Sequence, residues 1–583
     1  MCGIAGWLAA RDCAPPSAAL EAMATLLQHR GPDDSGFHRD ADAGLALAHR
    51  RLSIIDLSAA SHQPMTHAAT GVVLVYNGEL YNFRELRAEL QSAGHFFESS
   101  GDAEVLLRSY LHWGMDCLQR FAGMFAFALW DPRSGVLHLA RDPLGMKPLY
   151  YATLAGGIAF ASEVKAFAAV PGMRMAVCEI GLAQFLEFGY VFDEHRTLLE
   201  GILKLPPGRR IEATGRGVIR EFVYFTPPAA DRADSRGEVE RCAELLDVLG
   251  KTVRQHLVAD VPVGLLLSGG LDSSLVAAIA ARCGPLSTVS MGFDGSNVDE
   301  RPQAREVARF IGSRHSEFLV TPAQVIEEAS TGAWAYDDLF SDWGLLTTRI
   351  LYRRCREAGL KVVLVGEGAD ELFGGYDRFR VTARLGLMQQ IRLYRRYSGR
   401  RYGKVFLAFR AALSEFDRTG TDGFDVVRMF ETQRQLPNQY AMKVDKASMS
   451  ESVEARCPFL DRRVAELAFR TPREWLQRGG EDKYLLRALA RRAGLLPEAT
   501  SGRTKFGAPL PAQWMDGNKE FRNFAAPRLL EGKWTRRLGF DRAMRAFFNE
   551  GRSGDRFPRP ISIFSDLAWR LLLLELWDDQ RAV

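Results

Sequence analysis

Short apolar runs separated by turn residues fill the first third of the chain. Four of them predict β-strands, at 71–76, 124–130, 136–139 and 157–161. Three stretches with helical periodicity lie between the runs, at 20–27, 83–92 and 103–113. This mixture of strands and helices predicts an α+β domain, layered as αββα, over residues 1–205.

Strand and helix patterns alternate regularly from residue 238 onward. Apolar runs at 261–267, 287–293, 317–320 and 361–365 predict strands, with helical patterns such as 273–282 and 301–311 between them. Apolar strands separated by helices are typical of a parallel sheet that is covered on both faces. After residue 376 the pattern is mostly helical. We therefore expect an α/β domain with a helical C-terminal part over 238–583, joined to the first domain by a Pro- and Gly-rich linker at 206–237.

The last apolar stretch, 561–577, contains Asp566, Arg570 and Glu575. Three charged residues interrupt it too often for a membrane-spanning helix, so we interpret it as a packed C-terminal helix. The N-terminus lacks the basic and apolar regions of a signal peptide. Eight cysteines are scattered without CxxC spacing, which favours a reducing compartment, and we expect the protein in the cytoplasm.

Composition narrows the expected partners. The 583 residues are 47% hydrophobic and 25% charged, as in ordinary globular proteins, and the net charge is 75 − 71 = +4. That charge is too small to indicate nucleic acid as the main partner. One basic, tyrosine-containing segment at 392–404 leaves a nucleic-acid contact as an alternative to a solvated helix and turn. We expect small-molecule substrates, with no nucleic acid and no membrane, and a homodimer remains open.

The motif SGGLDSS at 268–274 lies where a predicted parallel strand ends and a helix begins. Ligands bind at this position in open α/β sheets. Glycines allow backbone N–H groups to approach phosphate oxygens, and the helix N-terminus adds partial positive charge. Asp272 would be explained by a Mg²⁺ ion bridging to the phosphates. The chain lacks the GxxxxGK[ST] motif of a P-loop, so we predict a different cradle for pyrophosphate.

An acidic, Gly-rich segment, GEGADELFGGY at 366–376, follows the strand predicted at 361–365. Glu367, Asp370 and Glu371 would repel one another unless a cation or base chemistry used them. A solvated loop is the alternative. Because the segment follows a strand of the same sheet as Asp272, a shared Mg²⁺ site is the better interpretation.

Cys2 suggests a second reaction centre. Removal of Met1 would place a thiol and an α-amine on one residue, so that the nucleophile carries its own general base. Arg51 is a candidate for binding the α-carboxylate of glutamine as a fork. Asn77-Gly78-Glu79 could equally form a tight turn, and Asp102 could equally cap a helix. Their joint occurrence behind Cys2 favours glutamine hydrolysis.

These residues belong to longer motifs. MCGIAGW, RGPDDSG, HRRLSIID, YNGELYN and SGDAEVLL resemble those of class II glutamine amidotransferases, which have the Ntn-hydrolase fold. SGGLDSS resembles the PP-loop of ATP pyrophosphatases. Together with GEGADELFGGY and VEARCPFLD (453–461), the ordered set closely resembles the glutamine-hydrolysing asparagine synthetase family over most of the chain.

The resemblance implies a role for each matching residue. Cys2 is the nucleophile, Asn77 and Gly78 form the oxyanion hole, and the glutamine-binding residues are Arg51, Asn77, Glu79 and Asp102. Glu367 matches the family's catalytic glutamate and Lys505 a lysine near the acyl-adenylate. The implied ATP-binding residues are Leu266, Ser268, Gly269, Gly270, Asp272, Ser273, Ser274, Met291, Val365, Gly366 and Lys446. Asp272 and Asp370 would hold Mg²⁺.

The implied reaction joins the two halves. Ammonia released from glutamine at Cys2 would cross an internal tunnel and displace AMP from an acyl-adenylate made from ATP and a carboxylate. Aspartate is the expected acceptor. The segment 337–350 departs from the family pattern at Trp343, Leu345 and Leu346, which leaves a sugar uronate or a natural-product acid as the alternative.

Three other kinds of enzyme share one half of this pattern. Amidotransferases that make glucosamine phosphate or phosphoribosylamine share the front half, but SGGLDSS argues against them. A β-lactam synthetase-like cyclase shares the back half, but Cys2 argues against that interpretation because such enzymes have no use for free ammonia.

Overall fold

Two six-stranded antiparallel sheets pack face to face in the N-terminal part of the molecule. The computed structural model describes residues 2–215, 217–293, 299–342, 344–379, 403–417, 422–503, 515, 517–549 and 563–581. The first sheet has the spatial order β10 (Ile202–Lys204), β8 (Tyr150–Leu154), β9 (Gly157–Ala161), β1 (Gly3–Leu8), β3 (Leu45–Arg51) and β2 (Asp34–Asp40). The second has the order β12 (Ile219–Val223), β11 (Arg209–Thr214), β7 (Val136–Arg141), β6 (Gly123–Asp131), β5 (Val73–Leu80) and β4 (Met65–Thr66).

Helices cover the outer faces of both sheets. Helix α1 (Ser17–Leu26) packs on the first sheet, whereas α2 (Phe83–Ser92) and α3 (Asp102–Trp113) pack on the second. Helix α4 (Glu179–Phe188) comes later in the chain, after a 3₁₀ segment at Val164–Ala169. Shorter 3₁₀ segments are Arg11–Cys13, Gln28–Arg30, Ala59–Ser61 and Gly114–Gln119. The layers are therefore αββα, which confirms the predicted fold of this domain.

Strand β1 shows how the sequence builds these layers. Ile4 and Leu8 lie in the core between the two sheets, whereas Ala5 and Trp7 belong to the cluster that contains Leu20 of α1. Successive side chains of a strand point to opposite faces, so a strand that is apolar at every position must be covered on both sides. This burial holds the N-terminal residues in place.

The segment predicted as a linker, 206–237, differs from the prediction. It contains β11 and β12, which complete the second sheet, and Ile211 and Ala213 of β11 lie in the core between the sheets. The Pro- and Gly-rich stretch 206–208 is thus a turn inside the domain, because the residues after it form two more strands of the second sheet. The part without regular structure is 224–237.

The third sheet is parallel and belongs to the second half of the chain. Its order is β15 (Arg314–Val320), β14 (Ser287–Phe293), β13 (Val263–Leu266), β16 (Val362–Leu364) and β17 (Glu454–Arg456). Helix α5 (Glu238–His256) precedes the sheet. The helices that follow its strands β13 to β16 are α6 (Leu271–Ala281), α7 (Arg301–Ile311), α8 (Pro322–Gly332), α9 (Leu345–Glu357) and α10 (Ala369–Phe373), with a 3₁₀ segment at Ala333–Ala335. The predicted parallel α/β sheet is confirmed, and β17 is an addition to it.

The rest of this half is helical, as predicted. Its helices are α11 (Gly403–Ser414), α12 (Gly423–Phe430), α13 (Ala441–Ser450), α14 (Arg462–Arg470), α15 (Arg473–Leu476), α16 (Tyr484–Arg492), α17 (Glu498–Ser501), α18 (Lys519–Leu530), α19 (Lys533–Arg537), α20 (Asp541–Asn549) and α21 (Ile563–Arg581). A π-helical segment, Glu431–Tyr440, joins α12 to α13, and Pro458–Leu460 is a 3₁₀ turn. Among the helices in the described ranges, none has both the length and the apolar composition needed to cross a bilayer.

Candidate functional site

Cys2 lies just before β1 in a small buried cavity. Its backbone nitrogen donates to Asn77 Oδ1 at 2.9 Å. Arg51, Glu79 and Asp102 line the same cavity. Burial raises the pKa of the Cys2 thiol above its ordinary value. A base close to the sulfur is therefore needed to form the thiolate at neutral pH, and the α-amine of a mature Cys2 would meet this need.

Asn77 and Gly78 lie inside strand β5, so they do not form the tight turn that Asn-Gly allows. A Cβ atom at Gly78 would lie 2.3 Å from the carbonyl oxygen of Met124 in β6, which explains the glycine by close strand approach. Asn77 is fully buried, and its Nδ2 has no hydrogen-bond partner within the described part of the chain. A buried donor without a partner is costly, so this amide suits an oxygen supplied by a ligand.

Arg51, Glu79 and Asp102 bring charges of both signs to the cavity. Arg51 Nη1 donates to Ser58 O at 2.9 Å, and its Nη2 donates to Asp56 O. Asp102 is the first residue of α3, and its Oδ2 accepts hydrogen bonds from the backbone of Leu80 and from a tyrosine hydroxyl at 2.9 and 2.8 Å. One guanidinium and two carboxylates suit an amino acid that carries a carboxylate and an ammonium group.

Arg30 was not singled out from the sequence, where its segment has the composition of a turn. The structure buries it completely, and its Nε donates to the backbone oxygen of Cys2 at 3.1 Å. Its two Nη atoms contact Glu163 at 2.7 Å and Asp445 at 2.9 Å. Arg30 thus holds the backbone of the candidate nucleophile against the second domain.

The loop SGGLDSS joins β13 to α6, as predicted. Gly269 has φ +72°, and a Cβ there would lie 2.6 Å from the backbone nitrogen of Ala304. The hydroxyls of Ser268 and Ser273 are 3.0 Å apart, and Gly270 N donates to Ser268 Oγ at 3.3 Å. The loop is therefore narrow and preorganised at a helix N-terminus, where anions are stabilised.

The other predicted nucleotide-binding residues lie on the same sheet. Leu266 ends β13, Met291 is in β14, and Val365 and Gly366 directly follow β16. A Cβ at Gly366 would lie 2.7 Å from the backbone nitrogen of Ser273, so the loops after β13 and β16 are in contact. Ser274 is fully buried in the first turn of α6.

Asp272 and Asp370 both pair with the ammonium group of Lys483. Lys483 Nζ lies 2.6 Å from Asp272 Oδ2 and 2.5 Å from Asp370 Oδ1. Two carboxylates that converge on one positive charge form an oxygen donor set that fits Mg²⁺, an ion that usually keeps several waters and binds few protein groups. In the described ranges, no cluster of three or more His, Cys, Asp or Glu side chains adds to this pair.

Sequence reasoning missed Lys483. It precedes α16 with φ +47°, and a lysine beside a helix N-terminus opposes the usual preference for negative charge there. That unfavourable placement is the one signal that could have drawn attention to it.

Glu367 lies on the loop after β16 and is partly exposed. Lys443 Nζ in α13 is 3.9 Å from Glu367 Oε1 and 3.4 Å from Asp342 Oδ1. Asp342 belongs to the segment 337–350, so this part of the site combines positive and negative groups beside the predicted catalytic glutamate.

Lys446 was predicted to lie near the phosphates, but its contacts in the structure are with residues outside the Gly-rich loop. Its Nζ hydrogen-bonds to Asp337 and lies 5.3 Å from the ring centroid of Tyr150 in the first domain. The lysine that contacts Asp272 is Lys483. Lys505, Trp343 and residues 392–402 of the basic segment lie outside the described residues.

Family comparisons agree with this division into two chemical centres. Residues 1–224 match the glutamine amidotransferase domain, and residues 244–579 match the asparagine synthase domain. The protein is therefore a glutamine-hydrolysing carbon–nitrogen ligase that uses ATP, as predicted. More particularly, the chain belongs to the glutamine-hydrolysing asparagine synthetase family.

Similar proteins span most of the chain. Asparagine synthetase [glutamine-hydrolyzing] 1 of Bacillus subtilis is 31% identical, with 85% of this chain and 84% of that protein covered. A putative asparagine synthetase [glutamine-hydrolyzing] of Mycobacterium tuberculosis is 34% identical, with 88% of each chain covered. A protein named Amidase chry2 from Gibberella zeae is 32% identical over 62% of this chain and 56% of its own length.

The unpartnered amide of Asn77 leads to a test. We expect Asn77→Ala to lower kcat of the glutaminase reaction by about 10²–10³-fold, because removing one oxyanion donor has that effect in other enzymes. Glutamate release is the measurement. Asn82→Ala is the matched control, since Asn82 Nδ2 bonds to Arg120 O at 2.9 Å on the surface. Equal small effects of both substitutions would contradict the assignment.

Proposed function

We propose that this protein converts aspartate to asparagine through an aspartyl-adenylate, using glutamine as the nitrogen donor and releasing AMP and pyrophosphate. The observation that carries the proposal is that Lys483 pairs with both Asp272 and Asp370, beside the loop that contains Glu367. In the same chain, Cys2 lies in a closed cavity with charged groups suited to glutamine.

The first half-reaction takes place at Cys2. Its thiolate attacks the side-chain amide carbon of glutamine, and the oxygen that gains charge is stabilised by Asn77 Nδ2 and the backbone N–H of Gly78. Ammonia leaves, and water then hydrolyses the thioester to glutamate. Arg51 binds the α-carboxylate of glutamine, while Glu79 and Asp102 bind its α-ammonium group.

The second half-reaction takes place at the ends of β13 and β16. A carboxylate oxygen of the acceptor attacks the α-phosphorus of ATP, pyrophosphate leaves, and an acyl-adenylate remains. The Gly-rich loop, Ser268, Ser273 and Lys483 hold the departing phosphates. Asp272 and Asp370 would hold Mg²⁺, which when bound neutralises phosphate charge. Ammonia then attacks the acyl carbon and displaces AMP, with Glu367 placed to accept a proton.

Aspartate fits the groups beside Glu367. An aspartate that presents its side-chain carboxylate to ATP still carries an α-carboxylate and an α-ammonium group. Lys443 offers a positive charge, and Asp342 a negative charge 3.4 Å away. A site with both signs favours a zwitterionic acceptor over a sugar uronate, which has no ammonium group.

An acceptor other than aspartate is the second candidate. The relative named Amidase chry2 favours it, because its printed name indicates a different activity within a similar sequence. Leu345 and Leu346, which depart from the family pattern, support a different acceptor less strongly than the sequence suggested. Both side chains are fully buried in the hydrophobic core, so packing alone accounts for their apolar character.

The division between two sites predicts the effect of removing the nucleophile. We expect Cys2→Ala to abolish asparagine formation from glutamine and to retain formation from ammonium salts, because the acyl-adenylate does not depend on the thiol. Amino-acid analysis of the products checks both. Loss of both activities in a folded variant would contradict separate sites.

The acceptor can be identified with a panel of acids. We expect aspartate to support AMP and pyrophosphate formation, and succinate, which lacks only the α-ammonium group, to be at least about 10-fold poorer in kcat/KM. Mass spectrometry identifies the amide product. A uronate or another acid that outcompetes aspartate would replace it as the proposed acceptor, and formation of ADP and phosphate would refute the adenylate.

Lys483 and the proposed metal site can be tested together. We expect Lys483→Met to lower pyrophosphate release and to destabilise the protein by up to about 3 kcal/mol at neutral pH, because Asp272 and Asp370 lose their shared cation. Without the ammonium group the two carboxylates repel each other, so the variant should have a lower Tm at neutral pH. Mg²⁺ should recover part of the lost Tm.

Lys533→Met is the matched control for this change. Lys533 is exposed and pairs with the buried Asp578 at 2.7 Å in the helical region. Its loss should alter neither pyrophosphate release nor the response of Tm to Mg²⁺. If Mg²⁺ shifts the Tm of both variants equally, Asp272 and Asp370 do not form the metal site.

A further inference from the structure

Arg456 is a buried arginine of the parallel sheet that contacts a residue lining the cavity of Cys2. Its guanidinium is fully buried, and Nη2 donates to Glu79 Oε2 at 3.2 Å. Nη1 donates to the backbone oxygens of His256 and Val258, both at 2.7 Å, and Nε donates to Glu454 Oε1 at 2.5 Å. These bonds fix the guanidinium in one orientation.

Glu79 needs such a partner to act on glutamine. It is buried, and burial together with the nearby Asp102 carboxylate raises its pKa well above the ordinary value, whereas Arg456 lowers it. Glu454 lines the same cavity and adds further negative charge. A protonated Glu79 could not pair with an ammonium group. Arg456 opposes this rise in pKa, and its hydrogen bond holds the Glu79 carboxyl group in position at the cavity.

The backbone of Arg456 belongs to the other reaction centre. In the sheet, Arg456 pairs with Leu364 of β16, and its carbonyl oxygen accepts a hydrogen bond from Val365 N at 2.9 Å. Val365 leads through Gly366 to Glu367. One residue therefore connects the loop proposed to bind the nucleotide with the carboxylate proposed to bind glutamine.

We propose that Arg456 is a positioning residue of the glutaminase site, through which the second domain sets the affinity for the α-ammonium group of glutamine. It acts through Glu79 and does not itself touch the substrate. The proposal rests on the proposed glutamine-binding role of Glu79, and it extends that cavity by a residue from the parallel sheet.

The test measures ammonia release in the absence of ATP and acceptor, so that it applies to both substrates and does not depend on the proposed synthetase reaction. Glutamine is compared with glutaramate, the analogue that lacks only the α-amino group. We expect Arg456→Gln to raise KM for glutamine about 10-fold or more, with a much smaller change in kcat. The preference of the enzyme for glutamine over glutaramate should fall by the same factor.

Two further variants sharpen the result. Arg456→Lys retains a positive charge and should recover part of the preference. Arg462→Gln is the matched control, because Arg462 also crosses to the first domain, donating to Gln119 O at 2.9 Å, without contact to Glu79. It should leave the KM for glutamine and the preference unchanged.

Glu79→Gln provides an independent route if Arg456→Gln does not fold. Glu79→Gln should show the same loss of preference, and adding Arg456→Lys to it should cause no further loss, since the two residues act as one unit. A lower kcat for glutamine and glutaramate alike, or an unchanged preference in Arg456→Lys and Glu79→Gln, would overturn the proposal. Absence of acceptor amidation with these results intact would refute only the synthetase reaction.

Discussion

A buried network of charges between the two halves fixes the geometry of this protein. Arg30 pairs with Glu163 of its own domain and with Asp445 of the other, and Lys147 also contacts Asp445 at 3.1 Å. All four side chains are at most 2% exposed. Each of these charges has a partner of opposite sign, as burial requires, because a single unpaired ion in such a place would cost several kcal/mol. Since Arg30 also holds the carbonyl of Cys2, the domain contact and the nucleophile are positioned by the same side chain.

Two short elements contact residues of both candidate reaction centres. Helix α13 directs Lys443 toward Glu367, Asp445 toward Arg30 and Lys446 toward Asp337. Strand β17 follows it after a short turn, and its Glu454 lines the cavity of Cys2 while its Arg456 contacts Glu79. The side chains of a helix project all around its axis, so α13 can contact partners in three directions. The side chains of a strand alternate between two faces of the sheet. Movement at the synthetase loop would therefore reach the glutamine cavity through residues that are already in contact.

The sequence predicted the two folds and the main loops well, because these depend on local patterns. Apolar alternation located the strands, and the Gly-rich motif located the turn before α6. Strand β17 was missed because two of its three buried residues, Glu454 and Arg456, are charged and give no apolar signal. Residues 209–223 were mistaken for linker because three turn-forming residues precede them. Arg30, Lys443, Lys483 and Arg456 owe their proposed roles to partners that are distant in sequence, and such pairings cannot be inferred from a local pattern.

The ionic contact between the halves has a consequence that an apolar contact would not have. Hydrophobic attraction has no preferred direction, but a guanidinium that bonds two carboxylates and a carbonyl loses several directional interactions on a shift of about 1 Å. Charge pairing therefore specifies one relative orientation of the domains. It also means that the N-terminal domain alone would lack Asp445 for Arg30 and Arg456 for Glu79. On this structure, the glutamine cavity is complete only when the second domain is in place, so glutamine hydrolysis and acceptor activation share a single folded unit.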